Sequence, residues 1–567
     1  MNALTRFGTR AVVRPISADP TTTGAGYPWQ DGDILYADDL NAAFSDSFNT
    51  ISVLNHGAKG DGTTDDTAAI QAVLNTYAGK AVVFIPDTGN WYRVTTLAIH
   101  SGTGLLIDGK LRAIPSTGNV IDFTNANNVT IRGHGTIDGD GAANAGWPYV
   151  TANIGGANAT NIKVSGLTSQ NAIFFNFAAN GCSHLHVDSV RLLTSISASG
   201  FNWCQHSWIT RSYMNQGGND DCWAFYGGCV DCGISDCETT GARVAGISVY
   251  ADGAGPGGNP TYVPSQNITI ANNISHHNAE NGIEVRSQEP PYYIHTGIVI
   301  TGNRCYANAS DFDPQCADIW LSSADGVTVS GNNLSGSGSG AAPAWGIFVG
   351  NRASHVHIVG NSIWNEGQGG TSGVGIYMQV PSDVLIEGNY FYDTQTTPTM
   401  RYAIDGTAGP RCAITGNSFG LLGSGTPIHM IPVSDTVLAN STLGMWTVGA
   451  GNGTNGEAMG INAPVGYGAV LYYRSNSVPR WFVGTTGGTE SGGDVGSDYA
   501  IVSSFDNGSP KVNALSINRA TSVVTLNTAP RILAGLNDAP NDAAAASAGV
   551  PLGGTYRNGS VMMVRIV

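Results

Sequence analysis

The chain has 567 residues, too many for one ordinary hydrophobic core, so several domains or one elongated repeat is expected. Its 77 glycines and 12% charged residues describe a turn-rich all-β protein, and 41% apolar residues are too many for a disordered one. A net charge of -16 argues against nucleic acid as a partner, and no run of about 18 apolar residues is present to insert into a membrane.

In chain order, MNALTRFGTRAVVRP lacks the apolar stretch of a secretory signal, so synthesis in the cytoplasm and delivery by another route are expected. Residues 1–48 then form a first segment. Within TTDDTAAIQAVLNTY, Thr63 and Asp66 predict a capping box, and Ile70, Val73, Leu74 and Tyr77 share one helical face. This helix is expected to cover the open end of the strands that follow.

Between residues 160 and 420 a short β-branched segment recurs, and its equivalent apolar residues are Val164, Val187, Ile209, Ile234, Ile270, Ile300, Val329, Ile358, Ile386 and Ile414. Spacings of 22 to 36 residues between them are the signature of a solenoid. Asparagine follows in register at Asn273, Asn303, Asn332, Asn361, Asn389 and Asn417, which predicts a stacked ladder of side-chain amides. A second strand recurs half a repeat away, as in CWAF, GISV, GIEV, DIWL, GIFV and GIYM. Two or three strands per coil at this period predict a parallel β-helix over residues 49–435. After about residue 435 the alternating pattern changes character and predicts a small β-sandwich over residues 436–567.

Nine cysteines fall mostly within the repeat, and Cys229 with Cys232 forms a C-x-x-C. No second pair with zinc spacing follows, so buried small hydrophobes are expected, with no metal and no cofactor.

Strand side chains alternate, so the middle residue of each second strand faces outward. This predicts one column through Ala224, Ser248, Glu284, Trp320, Phe348, Tyr377 and Asp405, with Tyr226, Tyr250 and Arg286 two residues further on. Aromatic faces along such a surface suit sugar rings, so Tyr226, Tyr250, Trp320, Phe348 and Tyr377 are candidate glycan contacts. Arg286 is a candidate fork for an acidic sugar.

The run VLNHGAKGDGTTDDTAAIQAVLN, followed by AVVFIPDTGNWYRV, resembles the opening signature of the pectate lyase superfamily, which many phage tailspikes share. The resemblance implies a right-handed parallel β-helix. YPWQDGDILYADDLNAAFSD, within residues 1–48, resembles virion-attachment segments of phage tail proteins, and GVPLGGTYRNGSVMMVRIV resembles their C-terminal ends. Together these imply a homotrimeric tailspike joined to the phage tail or baseplate through its N-terminus, acting from the virion on a bacterial surface polysaccharide.

GGNDDCWAF resembles the paired-Asp motif of polygalacturonase-type glycoside hydrolases, with Asp220 and Asp221 at the paired positions. Elsewhere the pattern departs, with Ser199, Ala245 and Glu284 near the places where that family carries Asp, His and Arg. Hydrolysis needs a protonated carboxyl and a second carboxylate. Asp220 or Asp221 is expected as the acid and Glu284 as the base, with Asp318 one coil further on as the alternative carboxylate. Two coils separate the Asp pair from Glu284, roughly 9 to 10 Å, a spacing that suits inversion. Two other readings use the same surface: β-elimination from a uronate, with Arg286 and either His277 or Tyr250, and a non-catalytic adhesin.

Removing residues 1–48 is expected to leave both the fold and any glycan cleavage intact, because the solenoid signature begins only at about Ile51. Circular dichroism and a cleavage assay on the deletion variant check this, and a folded variant that has lost cleavage contradicts the segment boundary.

Overall fold

The computed structural model describes residues 50–114, 118–141, 151–251, 263–287, 292–309, 316–336, 344–367, 373–423, 427–431, 437–442, 470–475, 478–486, 498–505, 507, 509–526, 536–559 and 561–567. The expected attachment segment, residues 1–48, lies outside them. Two compact units are present, Met1–Leu443 and Gly444–Val567.

The first unit is a parallel β-helix. A representative coil holds the strands Ala245–Tyr250, Gln266–Ala271 and Ile274–His276, after which Asn281–Arg286 begins the next coil. The first of these strands belongs to a 13-stranded parallel sheet, and the other two belong to a 27-stranded one. At about 4.8 Å per rung, the thirteen stacked strands run roughly 58 Å. The last strand of the stack is Val437–Thr442, a few residues beyond the change of composition near residue 435.

Alternation drives the packing. The ten aliphatic positions from Val164 to Ile414 lie directly above one another, and all are buried. Removing this column from water supplies the non-directional part of the stability.

The directional part comes from the turns. Asn273, Asn303, Asn332, Asn361, Asn389 and Asn417 form the expected ladder, each amide nitrogen donating to the next amide oxygen at 2.9–3.0 Å. Each of these side chains except the first also accepts the backbone N–H of the asparagine one coil before. The column continues toward the N-terminus with other donors and acceptors: the Cys237 N–H meets Asn273, the Ser212 N–H meets the Cys237 thiol, and the Val190 N–H meets the Ser212 hydroxyl.

All nine cysteines are free and buried. The Cys229 thiol donates to the Phe201 and Tyr226 carbonyls, and the Cys232 thiol to the Cys204 and Val230 carbonyls. Among the described residues no three His, Cys, Asp or Glu side chains stand together as a metal site.

The helix Thr67–Tyr77 buries Ile70, Val73 and Leu74 against the first coils, but the expected capping box does not form. Asp66 is buried and instead accepts the N–H groups of Lys59 and Gly60, at 2.6 and 3.0 Å. Asp61 takes the threonines, accepting from the backbone and hydroxyl of both Thr63 and Thr64. The tight turn before the helix outcompetes the cap for the carboxylate.

In the second unit the alternating segments form a five-stranded antiparallel sheet, and Thr555–Asn558 pairs with Val561–Val564 in a hairpin. Between them lies the short helix Asp542–Ser547, where Asn541 caps the Ala544 N–H.

Asn361→Ala removes a buried acceptor for two donors of Asn332 and a donor to Val329 and Asn389. Leaving those groups unpaired is expected to cost at least about 2 kcal/mol, read as a lower unfolding midpoint in denaturant. An unchanged midpoint contradicts a stabilising role for the ladder.

Candidate functional site

The outward column predicted from alternation is present in register. Ala224 pairs with Ser248, Ser248 with Glu284, Glu284 with Trp320, Trp320 with Phe348, Phe348 with Tyr377, and Tyr377 with Asp405. Tyr226, Tyr250 and Arg286 stack beside it. The column is not a bare wall, however. Ala224, Ser248 and Glu284 have no exposed surface, and Phe348 is buried.

The aromatic part packs on itself. Trp320 stacks on Phe348 with centroids 3.8 Å apart, and Trp345 stacks on Tyr377 at 4.6 Å. Trp345 also lies 5.1 Å from Phe348, so the rings cover one another's faces. This corrects the expectation of freely presented stacking platforms: only Trp320 and Tyr377 of this cluster keep appreciable exposure. Tyr226 is buried and donates its hydroxyl to the Ala198 carbonyl at 3.0 Å.

The charged part does converge. A cleft of about 570 Å³ is lined by Asp220, Glu280, Arg243 and Arg286, with Asn219, Val244 and Ile196. Asp220 is half-buried and accepts the Ala198 N–H at 3.3 Å. Asp221 is buried beside it, with Oδ1 accepting the Ala245 N–H at 2.8 Å. Glu284 is fully buried and ion-paired with Arg286, whose Nε lies 2.8 Å from Oε1. Ser248 also donates to Oε1 at 2.9 Å, and Asn281 donates to Oε2 at 3.0 Å. The guanidinium of Arg286 rests over the Tyr250 ring, 5.2 Å from its centroid.

These surroundings act on the proton affinity of Asp221. Burial, then the negative charges of Glu284 and Asp220, push the Asp221 carboxyl well above its ordinary value of 3.8; Arg286 and the Ala245 N–H oppose this less strongly. Burial works against the charge on Arg286, yet the adjacent carboxylate of Glu284 holds the guanidinium ionised. The result is a buried Asp221 whose carboxyl is biased toward its protonated form, next to Asp220 at the cleft wall and backed by an ion pair. Pairs of carboxyls separated in this way are what acid–base chemistry requires.

The structure brings Asp220, Asp221, Glu284 and Arg286 together but leaves Asp318 apart. Asp318 is fully buried, accepting the Asn308 amide at 2.8 Å and the Ser335 N–H at 3.1 Å. Its carboxylate closes a hydrogen-bonded run of turn side chains from Asn278 through Asn308, so it belongs to the scaffold. His277 is exposed against His276 and Tyr306 and takes no part in lining the cleft. Glu280, Arg243 and Asn219 are the polar lining residues that the strand pattern missed, and Val244 and Ile196 the apolar ones. A signal existed for Glu280: like Asp220 and Val244, it stands four residues before its outward-column residue.

Residues 50–309 match the family model described as rhamnogalacturonase A/epimerase, pectate lyase-like. This stretch of the β-helix is therefore similar to the pectate-lyase-like family. Residues 257–419 also match the model of NosD, a periplasmic copper-binding protein, although the described residues offer no cluster of metal donors. Depolymerase 1 of Klebsiella phage K5-2, specific for capsule K30/K69, is 26% identical over 297 residues, covering 48% of this chain and 34% of that one. A polygalacturonase of Prunus persica is 24% identical over 282 residues, covering 44% of this chain and 68% of that one. The chain thus spans about a third of the phage relative's length and two thirds of the plant relative's. Among solved structures, the tailspike protein of E. coli bacteriophage HK620 in complex with a pentasaccharide aligns at a TM-score of 0.57 and 14% identity, covering 85% of this chain and 92% of that one. The N-terminal fragment of bacteriophage Phi29 gene product 12 aligns at 0.57 and 15%, covering 72% and 74%. At these identities the structural likeness establishes the shared β-helical fold.

A raised Asp221 pKa means that the folded state binds a proton more tightly than the unfolded one. Stability from this group is therefore full below about pH 4 and declines as pH rises toward the folded pKa. Asp221→Asn keeps an acceptor for Ala245 without the charge, so its stability advantage over the parent is expected to grow as pH rises from about 4. Unfolding midpoints across pH 4 to 8 check this; a difference that stays flat or reverses contradicts a protonated Asp221.

Proposed function

We propose that this chain is a bacteriophage tailspike that binds and hydrolyses a bacterial surface polysaccharide from the virion tail. Asp221 serves as the acid, and Asp220, at the cleft wall, as the base. Asp221 gives its proton to the glycosidic oxygen as the bond from that oxygen to the anomeric carbon breaks. Asp220 takes a proton from the water whose oxygen attacks the anomeric carbon. One product gains a hydroxyl, the other a reducing end, and the two carboxyls recover their protonation by exchange with solvent. Glu284 does not collect protons in this scheme. Its negative charge raises Asp221 and fixes Arg286, so it positions the pair from behind.

The observation that carries the reading is the buried Asp221, its carboxyl pushed well above the ordinary value, directly beside Asp220, which lines the cleft. Similarity to a phage capsule depolymerase and a polygalacturonase supports the substrate class. Elimination would need a base close to the sugar's C5, and of its two candidates His277 does not line the cleft, while Tyr250 lies beneath the Arg286 guanidinium. The homotrimer and the attachment through residues 1–48 belong to the same proposal, and size measurement in solution tests the first.

Incubation with the host polysaccharide is expected to lower its viscosity and release reducing ends without new ultraviolet absorption from an unsaturated sugar. Asp221→Asn is expected to slow this by about 10² to 10⁴. Unsaturated products overturn hydrolysis, and binding without any cleavage by the wild-type protein supports an adhesin instead.

A further inference from the structure

Trp203 and Trp208 stand outside the cleft and have no part in the proposed mechanism. Trp203 follows the strand Ser199–Asn202, at the corner where the chain leaves the 13-stranded sheet, and is 40% exposed. Trp208 opens the strand Trp208–Thr210 of the 27-stranded sheet and is 36% exposed. Indole surface left in water on this scale is costly and marks a contact surface.

Each ring is seated on a glycine of the next coil. A β-carbon at Gly228 would meet the Trp203 ring at 3.0 Å, and one at Gly233, which pairs with Trp208, would stand inside the contact distance of the Trp208 ring. Bare backbone therefore seals one face of each indole, and the exposed surface lies on the side turned away from the rod. Trp203 also keeps a φ of 55°, a left-handed conformation that bulky side chains avoid. Backbone strain of this kind gathers at binding positions. Between the two indoles, on the same coil, His206 is exposed, with its ring 5.1 Å from that of His184 and its Nδ1 3.5 Å from Asp231 Oδ2. The surface is flat and apolar with hydrogen-bonding edges, and a sugar has the matching form, an apolar ring face rimmed by hydroxyls.

A second copy of the chain is the other occupant such a surface suggests, and strand register argues against it. A parallel rod lying alongside would meet the same strand position in coil after coil. Around Trp208 and Gly233 that position carries Lys163, His186, Thr269, Val299, Thr328 and His357, none of them an indole or phenyl ring. The flat apolar surface is confined to one coil, which is the footprint of a small ligand rather than of a rod.

We propose that Trp203 and Trp208 form a non-catalytic saccharide site on the flank of the rod, holding the host polysaccharide apart from the cleft that cuts it. His184 and His206 bond the sugar hydroxyls at its edge. The inference rests on the polysaccharide reading of the substrate but needs no cleavage.

The test titrates the whole chain carrying Asp221→Asn, by calorimetry, with oligosaccharides made by partial acid hydrolysis of the host polysaccharide. Two binding events are expected, one at the cleft and one at the flank. Trp203→Asn and Trp208→Ser, each added to that chain, are expected to weaken the flank event about tenfold and to leave the other unchanged. In the otherwise wild-type chain both are expected to keep kcat/KM for the shortest cleaved oligosaccharide within about twofold. Asparagine tolerates the left-handed φ of residue 203 and residue 208 lies at the surface, so both variants are expected to fold, with circular dichroism as the check. Binding at the cleft alone, or a flank event unchanged in the folded variants, overturns the site. A change of oligomeric size in either variant overturns it too, by assigning the indoles to a contact between copies. A wild-type protein that cleaves nothing yet loses binding with the tryptophans overturns the hydrolase reading and supports the flank site, so the two failures are distinguishable.

Discussion

Every coil must sit about 4.8 Å above the last and in register, or its turn amides are stranded inside an apolar rod. The asparagine ladder enforces that condition, since each amide bonds both the next amide and a backbone carbonyl. Hydrophobic stacking alone tolerates slippage, because one isoleucine packs on another much as on its neighbour. Buried polar groups do not tolerate it, because each has a specific partner to lose. Toward the N-terminus the ladder passes to Cys237 and Ser212, which perform the same pairing with smaller side chains. Register fixed in this way carries outward to the surface, where it places side chains from distant parts of the sequence one rung apart.

The carboxyl cluster uses that precision against the interest of stability. Asp221 and Glu284 are withdrawn from water on the same stack, and among the described residues Arg286 supplies the positive charge beside them. Removing one partner of such a buried pair costs about 3 to 5 kcal/mol, so Glu284 and Arg286 hold each other in place. The surplus negative charge raises the proton affinity of Asp221. An ordinary scaffold gains nothing from this arrangement, whereas an acid catalyst depends on it.

Much of this was legible in the sequence. The inward aliphatic column, the amide ladder and the outward column follow from a period of two within the strand and a repeat between strands, and all three pair in register. What alternation cannot supply is the covering of a side chain. Glu284 points outward along the strand yet is buried, because Arg286, two residues on, folds back over it. Trp320, Phe348 and Tyr377 point the same way, but flat rings at this spacing find each other before they find solvent. Asp318 has the parity of Trp320 and still turns to Asn308 and Ser335, since hydrogen bonds in a turn override strand direction. Arg243 and Asn219 lie in turns, where no period operates, and only the folded coil brings them to the cleft.

A crystal structure of the Asp221→Asn protein with a bound oligosaccharide tests the central claim most directly. A glycosidic oxygen is expected within hydrogen-bond reach of the residue 221 side chain, about 3 Å, with sugar rings continuing on both sides of it. An oligosaccharide seated elsewhere, with the cleft between Asp220 and Arg286 empty, would contradict it.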